Sequence, residues 1–237
     1  MSYEMLNLKQ AAEHVHLAMN ELKHFAQRGE IAATERGDDW YFEHAALDEW
    51  AQRNLLAATP KELKSQHQAM MDEQRRAHRE SWGVADLFRT ETVDLALAAK
   101  AKGGVLRDMT DLAEKSGLVY DVEGLFQELT AREEAASTAI GEGVALLHPR
   151  FHDPYMFAES FVAYGRSVRP VFFGAPDGEG THHFFLVCST DHEQHLRILA
   201  RLAILAHGTD LLEKLDLADG PDDVLSALAS CESPYRT

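Results

Sequence analysis

Two of the thirteen histidines stand where side-chain chemistry could be done. His148 directly follows GVALL (143–147), a short apolar run behind two glycines. Such a run reads as a buried strand. The end of a buried strand delivers its next residue to the surface of an α/β scaffold, a common location for reactive groups. His195 falls in the second turn of a helix that opens near Thr190, where Leu196, Leu199, Leu202 and Ala206 are spaced to face a core.

Three readings fit such a pair. A neutral imidazole nitrogen is a competent nucleophile near neutral pH. A phosphoryl group captured on it needs donors around its oxygens, because transfer depends on positioning and charge stabilisation. A second imidazole, an arginine and backbone N–H groups supply such donors. Alternatively, His148 and His152 could converge with His192 and His195 on zinc. In the third reading both histidines are satisfied core residues without chemistry. Spacing alone leaves the three open. His14, His16, His24, His44, His67 and His78 lie in polar helical contexts and are expected to be solvated.

The elements that would position these residues separate into three segments. Residues 1–58 form a compact, aromatic-containing unit. Residues 59–83 open with Pro60, a good helix start, and run on as an exposed connecting helix whose Leu63, Met70 and Met71 make no long coiled-coil stripe. Residues 84–237 form one larger domain. Within it, 91–101, 106–117 and 121–132 read as helices. GVALL, FVAYGRS, RPVFFGA and HHFFLVCS read as strands, with PDGEG (176–180) as a turn. Thr190 and Glu193 form a capping-box pattern, His207-Gly208 a helix stop, and Pro221 opens a last helix. Helices, then strands, then helices predict an α/β (α+β) domain with a mixed sheet flanked by helices.

The stretch REEAASTAIGEGVALLHPR (132–150) resembles the signature of phosphotransferase-system EIIA domains of the fructose/mannitol/nitrogen-regulatory type. Arg132, Ser137, Thr138, Gly141, Gly143, Ala145 and His148 fill the places of that pattern. HLRILARLA (195–203) resembles the family's downstream His-Leu helix, with the two histidines 47 residues apart. The resemblance implies the three-layer EIIA fold over residues 84–237 and a phosphoryl group carried on His148. His195 becomes the second active-site histidine, Arg132 the neutralising cation and Thr138 a further donor. It also implies a histidine-containing phosphocarrier (HPr-like) as donor, a IIB component as a further partner, and no metal or organic cofactor. One departure stands out. The family places proline before the histidine and a small residue after it, whereas this chain has Leu147-His148-Pro149. Pro149 lacks an N–H, so one backbone donor is lost beside the histidine, and Arg150 is the neighbour placed to compensate.

The N-terminal stretch 6–52 resembles the excisionase/MerR-like winged helix-turn-helix. Leu8, Ala11, Ala12, Val15, Leu22, Arg28-Gly29, Ile31, Trp40, Phe42, Leu47 and Trp50 follow its pattern. Gly29 would provide the left-handed turn that ends the second helix. Trp40, Phe42 and Trp50 are expected in a mini-core. Asn20, Lys23, His24, Arg28 and Arg36 are the polar residues available to DNA. Residues 1–58 nonetheless carry five Lys/Arg against ten Asp/Glu. Phosphate contacts supply most of a DNA-binder's affinity, so docking to a regulatory protein is an equal alternative.

The whole chain carries 23 Lys/Arg and 39 Asp/Glu, a formal net charge of -16. That balance disfavours non-specific adhesion to nucleic acid or anionic membrane. No run of apolar residues is long enough for a spanning helix, and MSYEMLNLKQAAEHV lacks the pattern of a signal peptide. The two cysteines, Cys188 and Cys231, read as reduced structural thiols. A cytoplasmic phosphorelay regulator, a phosphotransferase component if active and possible as an oligomer, is the expectation. A sugar-uptake phosphocarrier and a non-catalytic EIIA-fold interaction protein are the alternatives.

Overall fold

The computed structural model describes residues 5–15, 17–36, 39–57, 83–149 and 156–236. The connecting helix expected over 59–83 lies, apart from Gly83, outside the described residues, as do His16, His67, His78, Arg150 and His152.

The N-terminal unit is built from β1 (Met5–Asn7), α1 (Leu8–His14), α2 (Met19–Gln27), β2 (Ala33–Arg36), β3 (Asp39–Glu43) and α3 (His44–Ala57). Its three strands pair antiparallel in the order β1-β3-β2. Ala11, Ala12, Leu22, Ala26, Ile31, Phe42, Leu47 and Trp50 form its own core, with Trp40 packed against it. Gly29 takes φ 73° just beyond α2, and the Glu30 N–H reaches back to the Phe25 carbonyl. This satisfies carbonyls that the helix end leaves without partners.

The larger unit begins with a 3-10 turn, Val84–Leu87, and continues with β4 (Phe88–Leu97), α4 (Lys102–Glu114) and α5 (Val122–Ala135). Then come β5 (Ala139–Gly141), β6 (Val144–Leu147), β7 (Phe161–Val171) and β8 (Thr181–Cys188). Three helices close it: α6 (His192–Gly208), α7 (Leu211–Leu217) and α8 (Pro221–Glu232). The five strands make one mixed sheet in the order β4-β7-β8-β6-β5. β4 is parallel to β7 and β6 to β8, while the β7/β8 and β5/β6 pairs are antiparallel.

Strand alternation divides the core into two layers. Val144, Leu146, Val162, Tyr164, Phe185 and Val187 face α6, α7 and α8. Ala145, Leu147, Phe161, Ala163, Phe184 and Leu186 face α4 and α5. The sheet is therefore covered on both sides, which is why β6 reads as an unbroken apolar run.

Several expectations are corrected. Residues 91–101 do not form a helix: 88–97 is strand β4, and the helix starts only at Lys102. The Leu/Ala content of LALAAKA is helical by local preference, but pairing along β7 and burial of Thr92, Val93 and Leu97 override it. FVAYGRS and RPV join in one strand, β7, whose register is irregular between Arg166 and Val171. Pro170, which has no N–H to give a ladder, lies in that irregular stretch. The cap of α6 is Asp191, not Thr190: its carboxylate accepts the Gln194 N–H at 2.8 Å. β5 and α7 are additions that the sequence reading lacked. Cys188 and Cys231 are both free and buried, and among the described residues no helix is long and apolar enough to cross a membrane.

Candidate functional site

The site forms where the end of β6 meets the start of α6. Residues 144 and 146 of β6 point to the α6 layer, so continued alternation turns residue 148 the same way. His195, one turn into α6, meets it there. The two rings stand edge to face, their centroids 5.2 Å apart, and both are fully buried.

The turn that feeds β6 depends on its glycines. Gly141, Glu142 and Gly143 all have positive φ, at 91°, 53° and 77°. A type I′ hairpin turn needs left-handed conformations at both central residues. Glu142 adopts one without being glycine, and its N–H is held by Asp177 Oδ2 at 2.8 Å. At Gly141 an added Cβ would lie 3.1 Å from the same carboxylate.

Hydrogen bonding fixes which nitrogen of His148 is available. Nδ1 lies 2.8 Å from the Leu146 carbonyl. A carbonyl oxygen only accepts, so Nδ1 carries the proton and the lone pair sits on Nε2. Arg132 Nε donates to that Nε2 at 2.9 Å, and Arg132 Nη1 donates to the Ala136 carbonyl at 2.9 Å. Arg132 is itself buried at 3% exposure, on the last turn of α5. The guanidinium is thus anchored at one end and aimed at the imidazole with the other. His195 Nδ1 is 3.1 Å from Ser189 Oγ, which fixes the ring from behind.

Thr138 has a different setting. Its hydroxyl donates to Glu133 Oε2 at 2.6 Å, and its N–H reaches the same oxygen at 3.0 Å. Glu133 Oε1 accepts from Lys102 Nζ at 2.7 Å. The Thr138 carbonyl receives the Leu146 N–H at 3.0 Å. Thr138 and Glu133 thereby buttress the strand end, and Ser189, Glu133 and Lys102 are the residues that sequence reasoning passed over. Glu133 is adjacent to Arg132 in the REE triplet, a signal within reach. Ser189 and Lys102 become neighbours only through folding. Pro149 is buried.

Of the four histidines read as a zinc set, His152 lies outside the described residues. His192 points away from His148, toward the N-terminal unit, where it stacks on His14 with centroids 4.1 Å apart. On that unit Asn20, His24, Arg28 and Arg36 are exposed and Lys23 is half-buried. Arg28 pairs with Glu30 at 2.5 Å and lies over the Phe25 ring. His14 and His44, expected to be solvated, are instead partly covered, with side chains 18% and 37% exposed. They are drawn together around Asp48.

Residues 86–231 match the phosphoenolpyruvate-dependent sugar phosphotransferase system, EIIA 2 family, and the chain belongs to that family. A nitrogen regulatory protein from Bradyrhizobium diazoefficiens is 29% identical over 149 residues, 62% of this chain and 94% of that protein. A fructose-specific EIIA component from Haloferax volcanii is 30% identical over 148 residues, again 62% and 94% of the two chains. The fructose-specific EIIABC component of Bacillus subtilis is 27% identical over 147 residues, but the match spans only 23% of its length. Among solved structures, the nitrogen regulatory protein IIA-Ntr of Neisseria meningitidis shares the fold with a TM-score of 0.55 at 24% identity, covering 61% of this chain and 98% of that one. IIA mannitol from Escherichia coli does so at 0.53 and 22%, covering 60% and 99%.

Proposed function

We propose that the protein is a phosphorelay regulator that accepts a phosphoryl group on His148 and couples it to the N-terminal unit. One observation carries the reading: the His148 lone pair lies on Nε2, between the Arg132 guanidinium and the His195 ring. In the transfer step, Nε2 attacks the phosphorus of a phosphohistidine on an HPr-like donor. The new N–P bond forms as the donor's N–P bond breaks, and the donor imidazole leaves with the electron pair. Arg132 then exchanges its hydrogen bond to Nε2 for the phosphoryl oxygens, offsetting their charge. Ser189 orients His195 so that its other nitrogen faces the same group. Nδ1–H, held by the Leu146 carbonyl, stabilises the positive charge that develops on the ring.

The N-terminal unit is read as an excisionase/MerR-like winged helix-turn-helix, with boundaries near 1–58, followed by the linker 59–83 and the phosphoryl-acceptor domain 84–237. Its α2 carries Asn20, Lys23 and His24 at helical spacing on one side, and with Arg28 and Arg36 these form the surface offered to DNA or to a regulatory protein. Sugar uptake through a IIB component is the second reading. It is supported by the similarity to the fructose-specific EIIA component and by the fold shared with a mannitol IIA solved in complex with its phosphorylated IIB.

The test is incubation of the full chain with enzyme I, phosphoenolpyruvate and HPr. Acid-labile label on the wild type and none on His148→Ala is the expected result. Equal labelling of both, or of neither, refutes phosphoryl transfer through His148. Gel-shift titration against genomic fragments decides the N-terminal role: binding no tighter than to random DNA leaves protein docking.

A further inference from the structure

Away from His148, three histidines and one carboxylate converge where the two units meet. His14 is the last residue of α1, His44 the first of α3, Asp48 lies one turn further along α3, and His192 is the first residue of α6. Asp48 Oδ1 is 2.6 Å from His14 Nε2 and 3.0 Å from His192 Nε2, and its Oδ2 is 3.2 Å from His44 Nδ1. The donor atoms of His14, His44 and Asp48 all lie within 4.8 Å of one another. The His14 ring is 4.4 Å from that of His44 and 4.1 Å from that of His192. Side chains of Asp48 and His192 are only 14% and 11% exposed.

Three imidazoles around one carboxylate match a zinc-type ligand set in number and kind. With bonds near 2.0–2.1 Å, the ligand atoms of a tetrahedral site stand about 3.3 Å apart; the Asp48–imidazole distances of 2.6, 3.0 and 3.2 Å are comparable, with His14, His44 and Asp48 as the compact group and His192 joining it through Asp48. The surroundings favour a cation as well. Residues 1–58 carry five Lys/Arg against ten Asp/Glu, and residues 84–237 carry 13 against 25. Two acidic units are brought into contact, and a divalent ion between them offsets their repulsion.

We infer that His14, His44, Asp48 and His192 form a binding site for a divalent cation of the zinc class, which clamps the N-terminal unit to the start of α6. His192 precedes His195 by three residues, so the clamp acts on the same helix turn that presents His195. The inference is independent of phosphoryl transfer, since the four ligands are distinct from His148, Arg132 and His195.

Zinc chloride titrated calorimetrically into chelator-treated, full-length protein tests it. One tight site per chain is expected. Affinity should fall in His14→Ala, on one unit, and in His192→Ala, on the other, by more than the roughly tenfold that even a partner outside the ligand set costs. Asp48→Asn retains the shape and a hydrogen-bonding group while removing the anionic ligand, and is expected to weaken binding likewise. Cobalt substitution should give the strong visible bands of a four-coordinate ion, lost in His192→Ala. Circular dichroism of each metal-free variant establishes that it is folded. Absence of a stoichiometric site in the folded wild type overturns the inference. So does zinc affinity that is unchanged in folded His14→Ala and His192→Ala.

Discussion

Arg132 Nε donates to His148 Nε2 across 2.9 Å inside a core where both side chains are almost wholly out of solvent. The bond holds the lone pair on the nitrogen that would attack. Because Nδ1–H is committed to the Leu146 carbonyl, phosphorylation is expected at Nε2 and not at Nδ1. Two-bond proton–nitrogen correlation spectra of the phosphorylated, imidazole-labelled protein check this. A Nδ1 adduct would refute the tautomer assigned here.

Arg132→Lys keeps the charge and loses the fork. Lysine cannot hold the Ala136 carbonyl and a phosphoryl oxygen together. The rate of phosphoryl acceptance is expected to fall by about 100-fold, the effect of removing one preorganised donor. The melting transition should move little. Rapid-quench labelling from phospho-HPr measures the rate, and an unchanged rate would show that Arg132 serves structure alone.

Glu232 ties the end of the chain to the start of its domain. Its carboxylate accepts the Val84 N–H at 2.6 Å and the Ala85 N–H at 2.9 Å, and lies 3.4 Å from the buried Arg201 guanidinium. Removing one member of a buried ion pair leaves the other charge badly compensated. Glu232→Ala is therefore expected to cost about 3–5 kcal/mol, measured by urea unfolding. A loss below about 1 kcal/mol would contradict the importance given to this contact.

His183 gives the fold an acid limit. Burial, the largest influence, lowers its pKa to about 4 from the ordinary imidazole value of 6.5, against an opposing pull from Asp216. Its Nδ1 meets the hydroxyl of Tyr164, whose own ionisation burial pushes well upward. Below pH 6.5 the unfolded chain binds a proton that the folded chain refuses. Stability from this residue is thus complete above that value and drains away as the pH falls toward 4. The loss amounts to roughly 3 kcal/mol at most. In His183→Gln the fall in stability across that window should flatten, so the wild-type-minus-variant difference shrinks as the pH drops from 6.5 toward 4 in denaturant titrations. A parallel offset at all pH values would assign the acid sensitivity elsewhere.

Much of the candidate site was legible in order of residues. Arg132, the paired glycines, the apolar run and His148 are local features whose spacing is dictated by a helix end, a hairpin turn and a strand. The two-sided core was legible for the same reason, since β6 and β8 are apolar at successive positions and so must be covered on both faces. Strand β4 was not, because its Leu/Ala stretch prefers a helix until β7 is there to pair with it. Nor could any pattern reveal that Ser189 backs His195, or that Lys102 reaches Glu133 across 31 positions.

The histidines divide along the same line. The sequence by itself determined that His148 follows a buried strand and that His195 lies in an early turn of a core-facing helix, because both facts follow from periodicity. Only the tertiary structure decided where the others went. His192, three residues from His195, turns out of the site and stacks on His14, which is 178 positions earlier in the chain. Period and propensity act over a helical turn, whereas the docking of one unit on another is set by surfaces that exist only once both have folded.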